Sequence, residues 1–74
     1  MEHEMRAEYA AGASAKQPDA RVRAWHMVRG HELTAMCGRE LDQDAETQSA
    51  DLWGTADSAP FCHSCGAMYL REVP

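Results

Sequence analysis

Aromatic side chains are scarce in this chain: its 74 residues include one Phe, two Trp and two Tyr. A domain of that length buries little of its surface, and it commonly relies on a disulfide, a metal or a partner for stability. Scarce aromatic material sharpens that need, because the abundant alanines add little buried area each. Disulfides alone cannot meet it, since three cysteines cannot all pair within one chain. No run approaches the roughly 18 apolar residues that mark a membrane span. The acidic start Met1-Glu2-His3-Glu4 is not followed by the apolar stretch of a secretory signal. The expectation is a cytoplasmic protein with no membrane segment, and in a reducing compartment cysteine spacing points to metal or catalysis.

Basic residues are absent between positions 40 and 57, where Glu40, Asp42, Asp44, Glu46, Asp51 and Asp57 give a net charge of −6. Arg21, Arg23, Arg29 and Arg39 gather just before it, against Glu32, for a local +3. The whole chain carries −5. An acidic protein with one modest basic segment lacks the electrostatic footprint of a dedicated nucleic-acid binder.

The cysteines themselves are informative. Cys62-His63-Ser64-Cys65-Gly66 is a Cys-x-x-Cys turn that aims two thiolates at one point, and Cys37-Gly38 upstream offers a third. Tetrahedral zinc (Zn2+) takes four ligands, and a closed set of three Cys and one His is a structural site. The fourth ligand is then one of four histidines. A redox dithiol is the competing reading of Cys-x-x-Cys, but it belongs with a thioredoxin-like βαβ pattern that this short sequence does not supply.

Residues 1–20 read as a flexible or partly helical tail: Glu2 to Ala11 allows a few helical turns, which Gly12-Ala13-Ser14-Ala15 and Pro18 stop. The zinc-finger domain is expected over residues 21–74. Arg21 to Val28 alternates, with Val22, Ala24, His26 and Val28 on one face and Trp25 and Met27 on the other. Leu33 to Cys37 alternates as well, and Gly30-His31 between them suits a tight type II′ turn. The hairpin so formed places Val28 opposite Leu33, His26 opposite Ala35, and Ala24 opposite Cys37. Glu40 to Ala59 reads as a solvated connection pinned by Leu41, Leu52 and Trp53, and Ala67 to Val73 as a short C-terminal helix. The fold class that emerges is a small α+β zinc-stabilised domain, zinc-ribbon or treble-clef-like. Its parts are a β-hairpin with a zinc knuckle, the Cys-x-x-Cys turn and the helix.

The same register selects a histidine. His26 and Cys37 become diagonal cross-strand neighbours, with Cβ atoms about 7–8 Å apart or somewhat less, which one ion can span. His31 sits at the hairpin tip and His63 inside the Cys-x-x-Cys loop; both stay as alternatives, with His3 or water behind them. The expected ligands are His26, Cys37, Cys62 and Cys65. Trp25 and Trp53 read as hydrophobic caps over the site, with contact to a partner as the weaker reading.

Trp25-His26-Met27-Val28, Cys37-Gly38-Arg39-Glu40-Leu41, Trp53 and Phe61-Cys62-His63-Ser64-Cys65 together resemble a family of short single-zinc (Cys3His) zinc-finger proteins common in actinobacteria and their phages. The resemblance covers roughly residues 22–74 and implies the same four ligands. It says little about activity. A protein-protein interaction or regulatory module, not an enzyme, is the expected function, because no nucleophile–base–orienter arrangement is visible. A nucleic-acid-binding finger using the arginine-bearing hairpin is the alternative.

Overall fold

The computed structural model describes residues 2–9 and 21–72. Its organising element is a strand, β1, over His3–Tyr9. Met5 and Ala7 alternate with Glu4, Arg6 and Glu8, so one face of β1 is apolar and the other charged. The apolar face meets its match in β2, Val22–Arg29, which runs antiparallel to it with Met5 opposite Met27 and Ala7 opposite Trp25. The same register sets Arg6 opposite His26. A short third strand, β3, Thr47–Ser49, pairs with the other edge of β1, giving the order β2-β1-β3.

Residues 3–9 therefore do not belong to a tail; they form the central strand of the sheet. Pairing with β2 buries Met5 and Ala7 almost completely, and that burial outweighs the weak helical tendency of the segment. Of the expected tail, residue 1 and residues 10–20 lie outside the described residues, as do the last two residues of the chain.

The expected hairpin is also replaced. The Gly30-His31 turn is present, with Glu32 N–H donating to Arg29 O at 3.1 Å and Gly30 at φ 58°. Beyond it, however, Leu33 to Cys37 does not form a ladder with β2. The segment folds back on itself: Thr34 bridges Glu40, Leu41 N–H donates to Leu33 O at 2.8 Å, and Ala35 N–H donates to Arg39 O at 2.8 Å. Gly38 closes this knuckle at φ 98°, a backbone region that side-chain-bearing residues seldom adopt. The reason is competition for strand edges. β1 occupies one edge of β2, and on the other Trp25 is taken by a parallel bridge to Phe61.

The connection from Glu40 to Ala59 carries β3 and two short 3₁₀ turns, Ala50–Leu52 and Ala56–Ser58. Leu41, Leu52 and Trp53 pin it to the core as expected. The helix α1 runs over His63–Glu72, so it begins at the Cys-x-x-Cys turn, ahead of the expected start at Ala67.

The core collects Met5, Ala7, Trp25, Met27, Ala35, Met36 and Cys65, with Phe61, Trp53 and Tyr69 packed around them. Met5 and Met27 are fully buried, and each contributes about 1.5–3 kcal/mol by leaving water. Trp53 closes over α1 at Gly66, where a β-carbon would come within 3.1 Å of the indole Cζ2. At the far end of the helix Glu72 accepts from Arg29 Nε of β2 at 3.1 Å and lies 3.2 Å from His3 Nε2 of β1. Among the described residues no helix is long and apolar enough to cross a membrane.

Candidate metal centre

Successive residues of a strand turn their backbone groups to opposite edges. Trp25 and Met27 therefore both address the edge of β2 away from β1, with His26 between them. Trp25 N–H donates to Pro60 O at 2.9 Å, and its carbonyl accepts from Cys62 N–H at 2.8 Å. Met27 O accepts from Met36 N–H at 2.9 Å. These three bonds fasten the Cys62 turn on one side of His26 and the Cys37 knuckle on the other. Helix α1 then brings in the last sulfur: Gly66 N–H donates to Cys62 O at 3.0 Å, which starts the helix with Cys65 on its first turn. Cys65 N–H lies 3.4 Å from Cys62 Sγ, the backbone-to-sulfur contact that settles negative charge on a thiolate.

His26, Cys37, Cys62 and Cys65 are thereby brought together, their ligand atoms all within 4.8 Å of one another, in a group that could hold a metal ion. His26 Nδ1 lies 3.5 Å from Cys37 Sγ and 3.6 Å from Cys65 Sγ. With Zn–N of 2.0–2.1 Å and Zn–S of 2.3 Å, tetrahedral angles require an N···S edge of about 3.6 Å. The match is close. A thiol–imidazole hydrogen bond could explain either contact alone. The single in-plane lone pair on Nδ1 cannot point at both sulfurs, whereas a cation between the three atoms satisfies all of them.

The electrostatics of the sulfurs set what a cation has to overcome. Burial pushes the Cys65 thiol up to about 12; nearby backbone at Met27 and Cys37 eases the shift, and the neighbouring Cys37 side chain adds to it. Left to itself, this sulfur keeps its proton. A bound divalent cation reverses that preference, because a coordinating thiol is deprotonated outright.

The other histidines are elsewhere. His31 is exposed, with Nδ1 at 3.1 Å from Glu4 Oε1. His63 is exposed with its ring against Phe61, and His3 lies beside Glu72 and Tyr69. The pairing of His26 with Cys37 is the one anticipated, but the route differs: the knuckle delivers Cys37 through Met36–Met27, not through a ladder placing Cys37 opposite Ala24. Trp53 does cover the first turn of α1, packed edge-on against Phe61 at 5.0 Å. Trp25 is 4 % exposed, so it serves the core and offers no surface to a partner.

Sequence reasoning missed Glu8. Its Oε1 lies 2.7 Å from His26 Nε2, and its Oε2 takes Arg39 at 2.9 Å with Arg23 at 4.0 Å. The signal that could have found it is the alternation of Met5, Ala7 and Tyr9 with Glu4, Arg6 and Glu8, which marks a strand with one charged face. Arg29 and Arg39, counted in the basic segment, are both spent on intramolecular carboxylates, Glu72 and Glu8.

No family model, no curated protein and no solved structure matches this chain.

Proposed function

We propose that the chain is a zinc-binding interaction module, held together by a structural Cys3His site. The observation that carries this reading is the pair of Nδ1···Sγ separations, 3.5 and 3.6 Å, which equal the edge of a zinc tetrahedron. Thiolate and imidazole ligands in tetrahedral array favour zinc over the harder cations. Four protein ligands fill the coordination sphere and leave no position for a substrate or an activated water, so the reading is structural, not catalytic. Membership in the family of short Cys3His proteins and a cytoplasmic location belong to the same proposal.

The partner we infer is a protein. Three of the four arginines in the basic segment already face carboxylates within the fold, Arg29 on Glu72 and Arg39 and Arg23 on Glu8, and the acidic run from Glu40 to Asp57 repels phosphate. Native mass spectrometry with and without a chelator tests the metal: one zinc per chain is expected, lost together with the dispersed amide NMR spectrum on chelation. A metal-free chain that kept its dispersion would refute it. Titration with mixed DNA and RNA at about 0.15 M salt tests the partner class. Sub-micromolar binding abolished by neutralising Arg21 and Arg23 would favour nucleic acid instead.

A further inference from the structure

We propose that Glu8 is the positioning residue of the metal centre: it holds the His26 ring so that Nδ1 faces the metal, and so makes strand β1 part of the site. The inference rests on the reading that His26, Cys37, Cys62 and Cys65 hold zinc.

An ionised carboxylate can only accept hydrogen bonds. At 2.7 Å from Glu8 Oε1, His26 Nε2 must therefore carry the proton, which leaves the Nδ1 lone pair free on the side of Cys37 and Cys65, for an ion held between the three atoms. A carboxylate behind a ligating imidazole fixes both tautomer and ring orientation. The carboxylate is itself fixed. Arg39 Nη2 binds its second oxygen at 2.9 Å, and Arg39 stands two residues after Cys37, on the knuckle that delivers that sulfur. A chain of contacts thus runs from one ligand, His26, through Glu8 and Arg39 to the loop of another.

Charge explains why both arginines are there. Zinc with three thiolates and a neutral imidazole carries one excess negative charge, and Glu8 places a second beside it. Arg39 at 2.9 Å and Arg23 at 4.0 Å supply two positive charges around the same carboxylate, so the assembly as a whole is neutral. Without them, a largely buried carboxylate next to an anionic metal complex would be repelled. Glu8 side-chain exposure is 12 %, too low for water to do this work.

The test uses the full chain, loaded with zinc, as wild type, Glu8→Ala and Glu8→Gln. Competition with a chromogenic chelator measures affinity. Long-range proton–nitrogen correlation of the histidine ring measures the tautomer, a readout that a purely structural role would not move. Wild type should show His26 with Nε2 protonated, a slowly exchanging ring N–H, and metal on Nδ1. Glu8→Ala should bind zinc about 10–100-fold more weakly, the range for losing such an outer partner, and lose the protected N–H signal. Glu8→Gln keeps an acceptor oxygen and should recover most of the affinity and the same tautomer. Metal on Nε2 in wild type, or equal affinity in Glu8→Ala, overturns the role of Glu8 while leaving the zinc site standing. A wild-type chain that binds no zinc removes both.

Discussion

Deleting residues 1–9 separates a dispensable tail from a central strand. The deletion removes β1, which lies between β2 and β3, so both lose their ladder partner. Met5 leaves with the deleted strand, and Met27 opposite it, now fully buried, returns to water. At about 1.5–3 kcal/mol for each such side chain, these two alone cost roughly 3–6 kcal/mol. A domain of this length has a total stability of about 4–11 kcal/mol, taking roughly 0.05–0.15 kcal/mol per residue. The loss is therefore a large share of the energy that holds the zinc-loaded fold together. Because zinc must then supply the missing folding energy, its apparent affinity falls by about tenfold for each 1.4 kcal/mol withdrawn, or about three powers of ten for a loss near 4 kcal/mol. Chelator competition on the truncated and full chains measures this, with amide NMR dispersion as the check on folding. Equal zinc affinity and an equally dispersed spectrum in the truncated chain would refute the assignment of β1 to the core.

The remaining predictions concern single groups. His26→Ala should weaken zinc binding by more than the roughly 10–100-fold that losing an outer hydrogen-bond partner costs. His31→Ala and His63→Ala should leave binding nearly intact, since both rings are exposed and outside the cluster; the opposite order in a chelator titration would break the ligand assignment. Zinc affinity should fall on acidification, because the Cys65 proton, held up to about 12 by burial, must leave before the sulfur binds. Through this thiol alone, each pH unit below that value costs about tenfold, so a flat affinity between pH 7 and pH 6 would contradict the buried thiol. Glu72 is held below the usual carboxylate range, chiefly by its hydrogen bond from Arg29, so its contribution is present at neutral pH and lost as pH falls through the lowered value. Glu72→Gln should lower the thermal midpoint at pH 7 in dilute salt, with the difference from wild type shrinking in acid and at high salt.

Chemistry was more legible in this sequence than topology, and the reason is distance along the chain. Cys62 and Cys65 are placed by a local turn, and the small Cys37-Gly38 knuckle needs only its own neighbours and the positive φ of Gly38. Strand parity already put His26 on the face it shares with Val22, Ala24 and Val28, while His31 fell on the turn, which sufficed to separate the two. Pairing of residues 3–9 with residues 22–29 depends instead on a partner beyond a long connection, and the alternation within 3–9 marks a strand without naming that partner. Ala, Glu, Arg and Met in that segment favour a helix taken alone, and burial of Met5 against Met27 reverses the preference. The misread hairpin follows from the same omission. With β1 ignored, β2 has an empty edge, and Leu33 to Cys37 is the nearest segment able to fill it; with β1 in place, that segment is free to close its own knuckle.

Four separate segments meet at His26: β2 carries the ring, the knuckle brings Cys37, the turn and first helical turn bring Cys62 and Cys65, and β1 brings Glu8. None is stable alone, since the strands are short, the helix is 10 residues long and the knuckle is a few residues wide. Each is fixed by bonds to β2 and by a shared sulfur-and-nitrogen cluster that burial makes unfavourable as free thiolates. On the proposed reading, metal binding and folding are one event, and a substitution at the cluster should alter the amount of folded protein before it alters a contact with the proposed partner. A test of the proposed partner is therefore cleanest on surfaces away from the cluster. The acidic segment from Glu40 to Asp57 is such a surface: it lies outside the cluster, carries β3 and both 3₁₀ turns, and keeps most of its carboxylate-bearing residues exposed. Charge reversal there should change partner binding while leaving zinc affinity untouched, and loss of zinc affinity in such variants would show that the two are coupled.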